Sequence, residues 1–342
     1  PLYCQAMEIR RKSLGENHPD FATSLSDLAS LYYSIGNYNK AEPLYCQAME
    51  IRRKSLGENH SDFATSLSNL ASLYYSIGNY NKAEPLYCQA MEIRRKSLGE
   101  NHSDFAASLN NLASLYESRG EYMAAEPLIH RAIEIRRKLL GENHPELAES
   151  LSSLASLYEH MGNYADAEPL YRQSMEIRRK SLGKNHPDFA TSLNNLASLC
   201  CSVGKYSEAE MLYRQAIKIR RNSVGRNHPD FAIGLNNLAS LYCSMGKYDQ
   251  AEQLYLQAMQ IWRELLGENH PDFATCLNNL ALLHYSKKNY EVAEPLIHQA
   301  IKIRRESLGE HHPDLADSMK VLASLYEMKG DSESSKLLYK QI

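Results

Sequence analysis

Between residues 61 and 77 apolar positions return every three or four residues, with Leu67, Leu70, Ala71 and Tyr74 on one stripe. The stripe predicts a helix, helix A, from about Ser61 to Ile77. Gly78 ends it, being suited to the left-handed backbone just past a helix. A second period of the same kind carries Ala83, Leu86, Tyr87, Ala90 and Met91 on one face and predicts helix B, from near Asn81 to Gly99. Asn81 is placed to cap helix B, with Glu84 three residues on completing a capping box. Pro85 in its first turns predicts a loosened start. Arg94, Arg95 and Lys96 fall in the last turn, where the helix dipole favours cations.

This two-helix pattern fills the chain. A loop built on Gly-Glu-Asn-His recurs with its glycine at 15, 57, 99, 141, 183, 225, 267 and 309, a spacing of 42 residues without insertion. The 23 tyrosines occupy four repeat positions, those of Tyr74, Tyr75, Tyr80 and Tyr87, and the six phenylalanines share the position of Phe63. Residues 1–342 therefore read as one array. It comprises a helix B at 1–18, full repeats at 19–60, 61–102, 103–144, 145–186, 187–228, 229–270 and 271–312, and a shortened last copy at 313–342. Pro19, Pro145, Pro187, Pro229, Pro271 and Pro313 start helix A, a position that needs no N–H. In the last copy Ser332, Ser335 and Leu337 replace the usual Tyr, Ala and Pro. Atypical terminal repeats cap such arrays, so the array is expected to end near Ile342 and to continue upstream of Pro1.

Composition removes several functions. A net charge of −3 and a pI near 6.5 argue against nucleic acid and anionic membrane as partners. No stretch approaches the roughly 18 apolar residues of a membrane span, which with seven cysteines outside any C-x-x-C pairing suggests free thiols and a cytoplasmic setting. No phosphate loop, metalloprotease helix or nucleophilic triad is present, so the array is expected not to be an enzyme and to need no cofactor. The ladder His18, His60, His102, His144, His186, His228, His270 and His312 supplies one ligand per repeat. A metal needs several donors at one point, so loop and cap packing is the reading and no metal site is expected. The basic runs, such as Arg94-Arg95-Lys96 and Arg178-Arg179-Lys180, are explained by the helix dipole and by Glu-to-Lys pairs four residues apart.

The face of helix A opposite its apolar stripe carries Thr65, Asn69, Ser72 and Ser76, flanked by Ser68 and Tyr75. A purely solvated face is usually rich in Lys and Glu, and this one is small, amide-bearing and nearly uncharged. Asn is also a mediocre helix former, so propensity does not account for Asn69, Asn111, Asn195, Asn237 and Asn279. Two readings stand: the amides bind a ligand, or they bridge adjacent repeats or recur by duplication alone.

Leu67-x2-Leu70-Ala71-x2-Tyr74, Gly78, Tyr80, Ala83-x3-Tyr87 and Ala90 match the tetratricopeptide pattern, with Leu for the usual Trp and without the terminal Pro. The 42-residue length and the "AEPLY" segments resemble the repeats of kinesin light chain and of related bacterial arrays. The resemblance covers the whole chain. It implies an all-α, right-handed superhelical solenoid of antiparallel helix pairs, whose helix A lines a concave groove. It further implies a protein or peptide partner, held in extended form by the Asn ladder with Tyr75, Ser72 and Ser240 beside it. An amide offers both the donor and the acceptor that a peptide unit requires. Groove positions that are basic in repeats binding acidic peptides are here Ser, Thr, Tyr75, Cys201 and Cys243, or acidic at Glu117, Glu159 and Glu327. The expected ligand is therefore mostly neutral. Rival readings are the sensor array of a larger signalling ATPase or protease, and a kinesin light chain type of cargo adaptor.

Overall fold

A computed structural model describes residues 2–342, and every element among them is helical. A first helix, α1 (Leu2–Leu14), precedes eight helix pairs. Their A members are α2 (Pro19–Ser34), α4 (Ser61–Ser76), α6 (Ser103–Ser118), α8 (Pro145–His160), α10 (Pro187–Ser202), α12 (Pro229–Ser244), α14 (Pro271–Ser286) and α16 (Pro313–Lys329). Their B members are α3 (Tyr38–Leu56), α5 (Tyr80–Leu98), α7 (Tyr122–Leu140), α9 (Tyr164–Ser181), α11 (Tyr206–Ser223), α13 (Tyr248–Leu266), α15 (Tyr290–Leu308) and the short α17 (Ser332–Tyr339).

The histidine ladder is a set of caps. Each of the eight histidines sits at the N-cap of its A helix, and its Nδ1 accepts a hydrogen bond from the backbone N–H two residues on, as His60 does from Asp62 at 3.1 Å. This satisfies one of the donors that a helix start leaves open and fixes the Nδ1 of each ring as an acceptor. Helix B begins one residue before the predicted cap: Asn79, not Asn81, accepts from Lys82 N–H at 3.3 Å, and α5 starts at Tyr80. Glu84 closes no capping box. Its carboxylate accepts from Tyr116 Oη of the next repeat at 3.1 Å, as Glu42 does from Tyr74 Oη at 2.6 Å. Nor is the start of α5 loosened, because the helix runs unbroken through Pro85. The carbonyl that loses its partner belongs to Asn81, which is exposed and can bond water.

The chain forms two compact units, one ending at Asn163 and the other running from Tyr164 to Ile342. In the first, the same five-residue core is built three times: Phe21, Ala22, Leu25, Ala48 and Ile51; Phe63, Ala64, Leu67, Ala90 and Ile93; Phe105, Ala106, Leu109, Ala132 and Ile135. Each joins the start of an A helix to the end of its own B helix. The completely buried alanines allow the two backbones to approach. A second layer, with Leu70, Ala71, Leu73, Tyr74, Ala83, Tyr87, Leu112 and Leu115, runs from repeat to repeat. The second unit repeats the plan around Phe231, Leu235, Trp262, Phe273, Leu277 and Leu315. Each unit is thus a helical solenoid, in which no pair buries its stripe without a neighbour.

Candidate functional site

Within each unit successive A helices approach one another directly, α6 to α8 in the first and α12 to α14 to α16 in the second, and no successive B helices come as near. The A helices therefore form the inner layer of each curve, and their face opposite the core lines it.

The five asparagines of the ladder are all half-buried on this face. Asn69, Asn111 and Asn195 make no side-chain hydrogen bond to another described residue, so both ends of each amide are available. Asn237 and Asn279 are different. Asn237 donates from Nδ2 to Oδ1 of Asn194 at 3.1 Å, and Asn279 donates likewise to Asn236 at 3.0 Å, each reaching back one repeat. The partners are the preceding residues of the Asn-Asn pairs 194–195 and 236–237, so at these two rungs the amides tie adjacent repeats together. Ser72 shares a hydrogen bond with Tyr87 Oη at 2.9 Å, Tyr75 Oη with Ser118 Oγ at 2.8 Å, and Ser240 is exposed. Burial pushes the Tyr87 phenol up to about 12, so it stays protonated beside Ser72.

Glu117 brings an acidic group to the same face and is held by Ser156 Oγ at 2.7 Å and His160 Nδ1 at 2.8 Å from the next repeat. It is only 12% exposed, whereas Asp27, at the ladder position of the first repeat, is exposed.

The basic runs need correction. Only their second and third members lie on the surface, where Arg95 and Lys96 pair with Glu92 at 2.8 and 3.2 Å. The first member turns inward, buried at Arg52, Arg94 and Arg136 and half-buried at Arg10 and Arg178. Arg94 is 8% exposed and reaches with Nη1 to Ser108 Oγ at 2.8 Å and Ser68 Oγ at 3.2 Å, and with Nη2 to Thr65 Oγ1 at 3.3 Å. Arg52 does the same to Ser66 and Thr23, and Arg304 to Ser318 and Thr275. A guanidinium from helix B is thereby clamped between the A helix of its own repeat and that of the next. The dipole argument missed this because it treats each helix end alone. The sequence does carry the signal: a Ser stands 14 residues after the arginine in six copies, at 24, 66, 108, 150, 192 and 318.

None of the seven cysteines forms a disulfide, and among the described residues no helix is long and apolar enough to cross a membrane.

Sequence models of the tetratricopeptide repeat match residues 1–54, 63–104, 104–180, 151–222, 230–296 and 274–342. The chain belongs to the tetratricopeptide repeat family. No curated protein matches it. Among solved structures it is similar to a putative kinesin light chain of Podosopora anserina with nearly identical repeats, at 26% identity and TM-score 0.50, over 60% of this chain and 97% of that one. It is similar in fold to BtubC from P. vanneervenii, at 23% identity and TM-score 0.52, over 70% and 93%. It also shares its fold with a signal transduction ATPase of Pyrococcus horikoshii that carries a tetratricopeptide sensor, at 18% identity and TM-score 0.55, over 94% of this chain and 46% of that one. Tetratricopeptide arrays are in general protein-interaction scaffolds without catalytic chemistry of their own, and the array is of the kinesin light chain-like type.

Proposed function

We propose that this tetratricopeptide array holds an extended, mostly neutral peptide segment of another protein along the inner face of its A helices. The observation that carries the reading is the free amides of Asn69, Asn111 and Asn195, half-buried on a face otherwise made of small hydroxyl residues. A half-buried amide with neither end bonded gains little from the fold and gains much from a peptide backbone. The remaining rungs, Asn237 and Asn279, serve the ligand through their carbonyl oxygens while their amino groups brace the stack. Tyr75, Ser72 and Ser240 line the same path. The partner is a protein, with no role for nucleic acid, lipid or a cofactor, and the setting is the cytoplasm.

The test is a double substitution, Asn69→Ala with Asn111→Ala, measured against peptides selected from a randomised library on the intact array. Each lost amide should cost about 0.5–1.5 kcal/mol, so affinity should fall roughly 5- to 150-fold. The melting temperature should hold, since Ala is the better helix former. A large drop in melting temperature with unchanged affinity would make the ladder structural at these rungs too.

The second reading is a sensor array within a larger signalling ATPase, as the coverage of nearly the whole chain by the Pyrococcus fold suggests. A phosphate-binding loop in the same reading frame would favour it, and an upstream heptad coiled coil would favour a cargo adaptor of the kinesin light chain type.

A further inference from the structure

The arginine clamp is replaced at one place in the array. Where the rule calls for a Thr, an Arg and a Ser, the chain has Ile233 on α12, Trp262 on α13 and Cys276 on α14. The spacing is that of Thr23, Arg52 and Ser66, so all three polar members of one clamp have been exchanged for apolar ones. Trp262 is 2% exposed and stacks on the His270 cap, rings 6.1 Å apart and 3° from parallel. Burial pushes the Cys276 thiol up to about 12, so it acts as a small apolar group.

The exchange leaves a cavity of about 220 Å³ between α12 and α14, open on the inner face, with Trp262 as its floor. Its rim is polar. Asn236 accepts at Oδ1 from Asn279 and from the Cys276 thiol, which leaves its amino group facing no described partner. Asn237 uses its amino group on Asn194 and keeps its carbonyl oxygen. Asp272 is the one carboxylate in the lining and its side chain is 47% exposed. The space is smaller than the roughly 300–1,000 Å³ of free small-molecule sites. An apolar cavity of about 150 Å³ already admits benzene, so one aliphatic or benzyl side chain fits.

We propose that this cavity is the specificity pocket of the array, taking one large apolar side chain of the bound peptide, with a Lys or Arg next to it at Asp272. The wall supplies burial of the side chain, the free donor of Asn236 and acceptor of Asn237 engage the peptide unit that carries it, and the carboxylate selects the neighbouring cation. At the neighbouring junctions of the second unit a guanidinium stands in the equivalent place: Arg220 reaches Thr191 and the Asp230 carbonyl, with Gly234 in place of the Ser, and Arg304 reaches Thr275 and Ser318. Within the second unit the pocket therefore differs from the clamped junctions on either side of it, and this sets the register of the peptide.

The inference rests on the peptide-binding reading above, and the experiment separates the two. A positional-scanning library of acetylated, amidated nonapeptides is bound to the intact array. Trp262 is the only tryptophan, so its fluorescence reports occupancy of this pocket directly. The selected peptides should show Leu, Ile, Met or Phe at one position with Lys or Arg adjacent, and should shift that fluorescence. The triple variant Ile233→Thr, Trp262→Arg, Cys276→Ser rebuilds the clamp used elsewhere and should fold. It should bind the same dye-labelled peptides at least tenfold more weakly by anisotropy, while Asp272→Asn should remove the preference for the cation alone. Selected peptides that lack an apolar position, or that bind the triple variant equally, overturn the pocket and leave the groove reading standing. Failure of every nonapeptide to bind the unaltered array overturns both.

Discussion

At the scale of the residue, the array turns on which arginine of each basic run goes inside. Arg94 gives up hydration and is returned three hydroxyl acceptors, and the guanidinium keeps its charge because its intrinsic pKa is so high. Burial does push it down. Replacing it by Ala strands Ser68, Ser108 and Thr65 around a void and should destabilise by about 2–4 kcal/mol. Arg95→Ala removes only exposed pairs, with Glu92 and Glu100, and should cost about 1 kcal/mol or less. Urea unfolding midpoints of the two variants check the contrast, and equal midpoints would mean that the clamp carries no weight. The ladder of asparagines was legible in the sequence as a face that solvation alone does not explain. Its division into bracing and free rungs was not, because that depends on whether the preceding repeat offers Asn194 or Asn236, as against Ser26 or Ser68.

At the scale of the element, the helix pair was readable nearly to the residue, since the apolar stripe and the positive-φ glycines Gly78 and Gly99 mark where each helix must stop. The starts were less legible. A histidine cap is outside the usual set of Ser, Thr, Asp and Asn, and Glu84 looked like a capping partner only because its true partner, Tyr116, lies 32 residues away in sequence. Losing the Asn79 cap by Asn79→Ala should lower stability by about 1 kcal/mol, as read from a shifted denaturation midpoint with an unchanged slope. The far end of helix B is sensitive to acid. Arg95 and then Lys96 hold the Glu92 carboxyl at about 2, below its ordinary value of 4.5. A carboxyl lowered on folding stabilises above its ordinary value, and that contribution disappears as pH falls from 4.5 through about 2. The difference in melting temperature between the unaltered array and Glu92→Gln should thus be small but present at neutral pH and gone near pH 2, since the pair is exposed. A difference that grew on acidification would reverse the assignment.

At the scale of the whole molecule, stability comes from stacked apolar stripes and alanine contacts, with the histidines spent on caps and the cysteines in no disulfide. Far-ultraviolet circular dichroism should therefore be unchanged in excess reductant and in a strong chelator, and a loss of helicity on chelation would show that the histidines hold a metal. The repeat period disclosed this architecture at once, because a motif of fixed length without insertions can only stack. The pocket at Trp262 was not disclosed, because its three exchanged residues are far apart in sequence and acquire a meaning only when the clamp they replace is known. The measurement that bears most directly on the account is photo-crosslinking of a selected peptide carrying a benzophenone side chain, with the attachment sites mapped by mass spectrometry. Attachment to A helices, at residues near Ser72, Tyr75, Asn111, Asn195 and Asn237, is the predicted result; attachment along the outer basic stripe of Arg95, Lys96 and Lys138 on the B helices would contradict it.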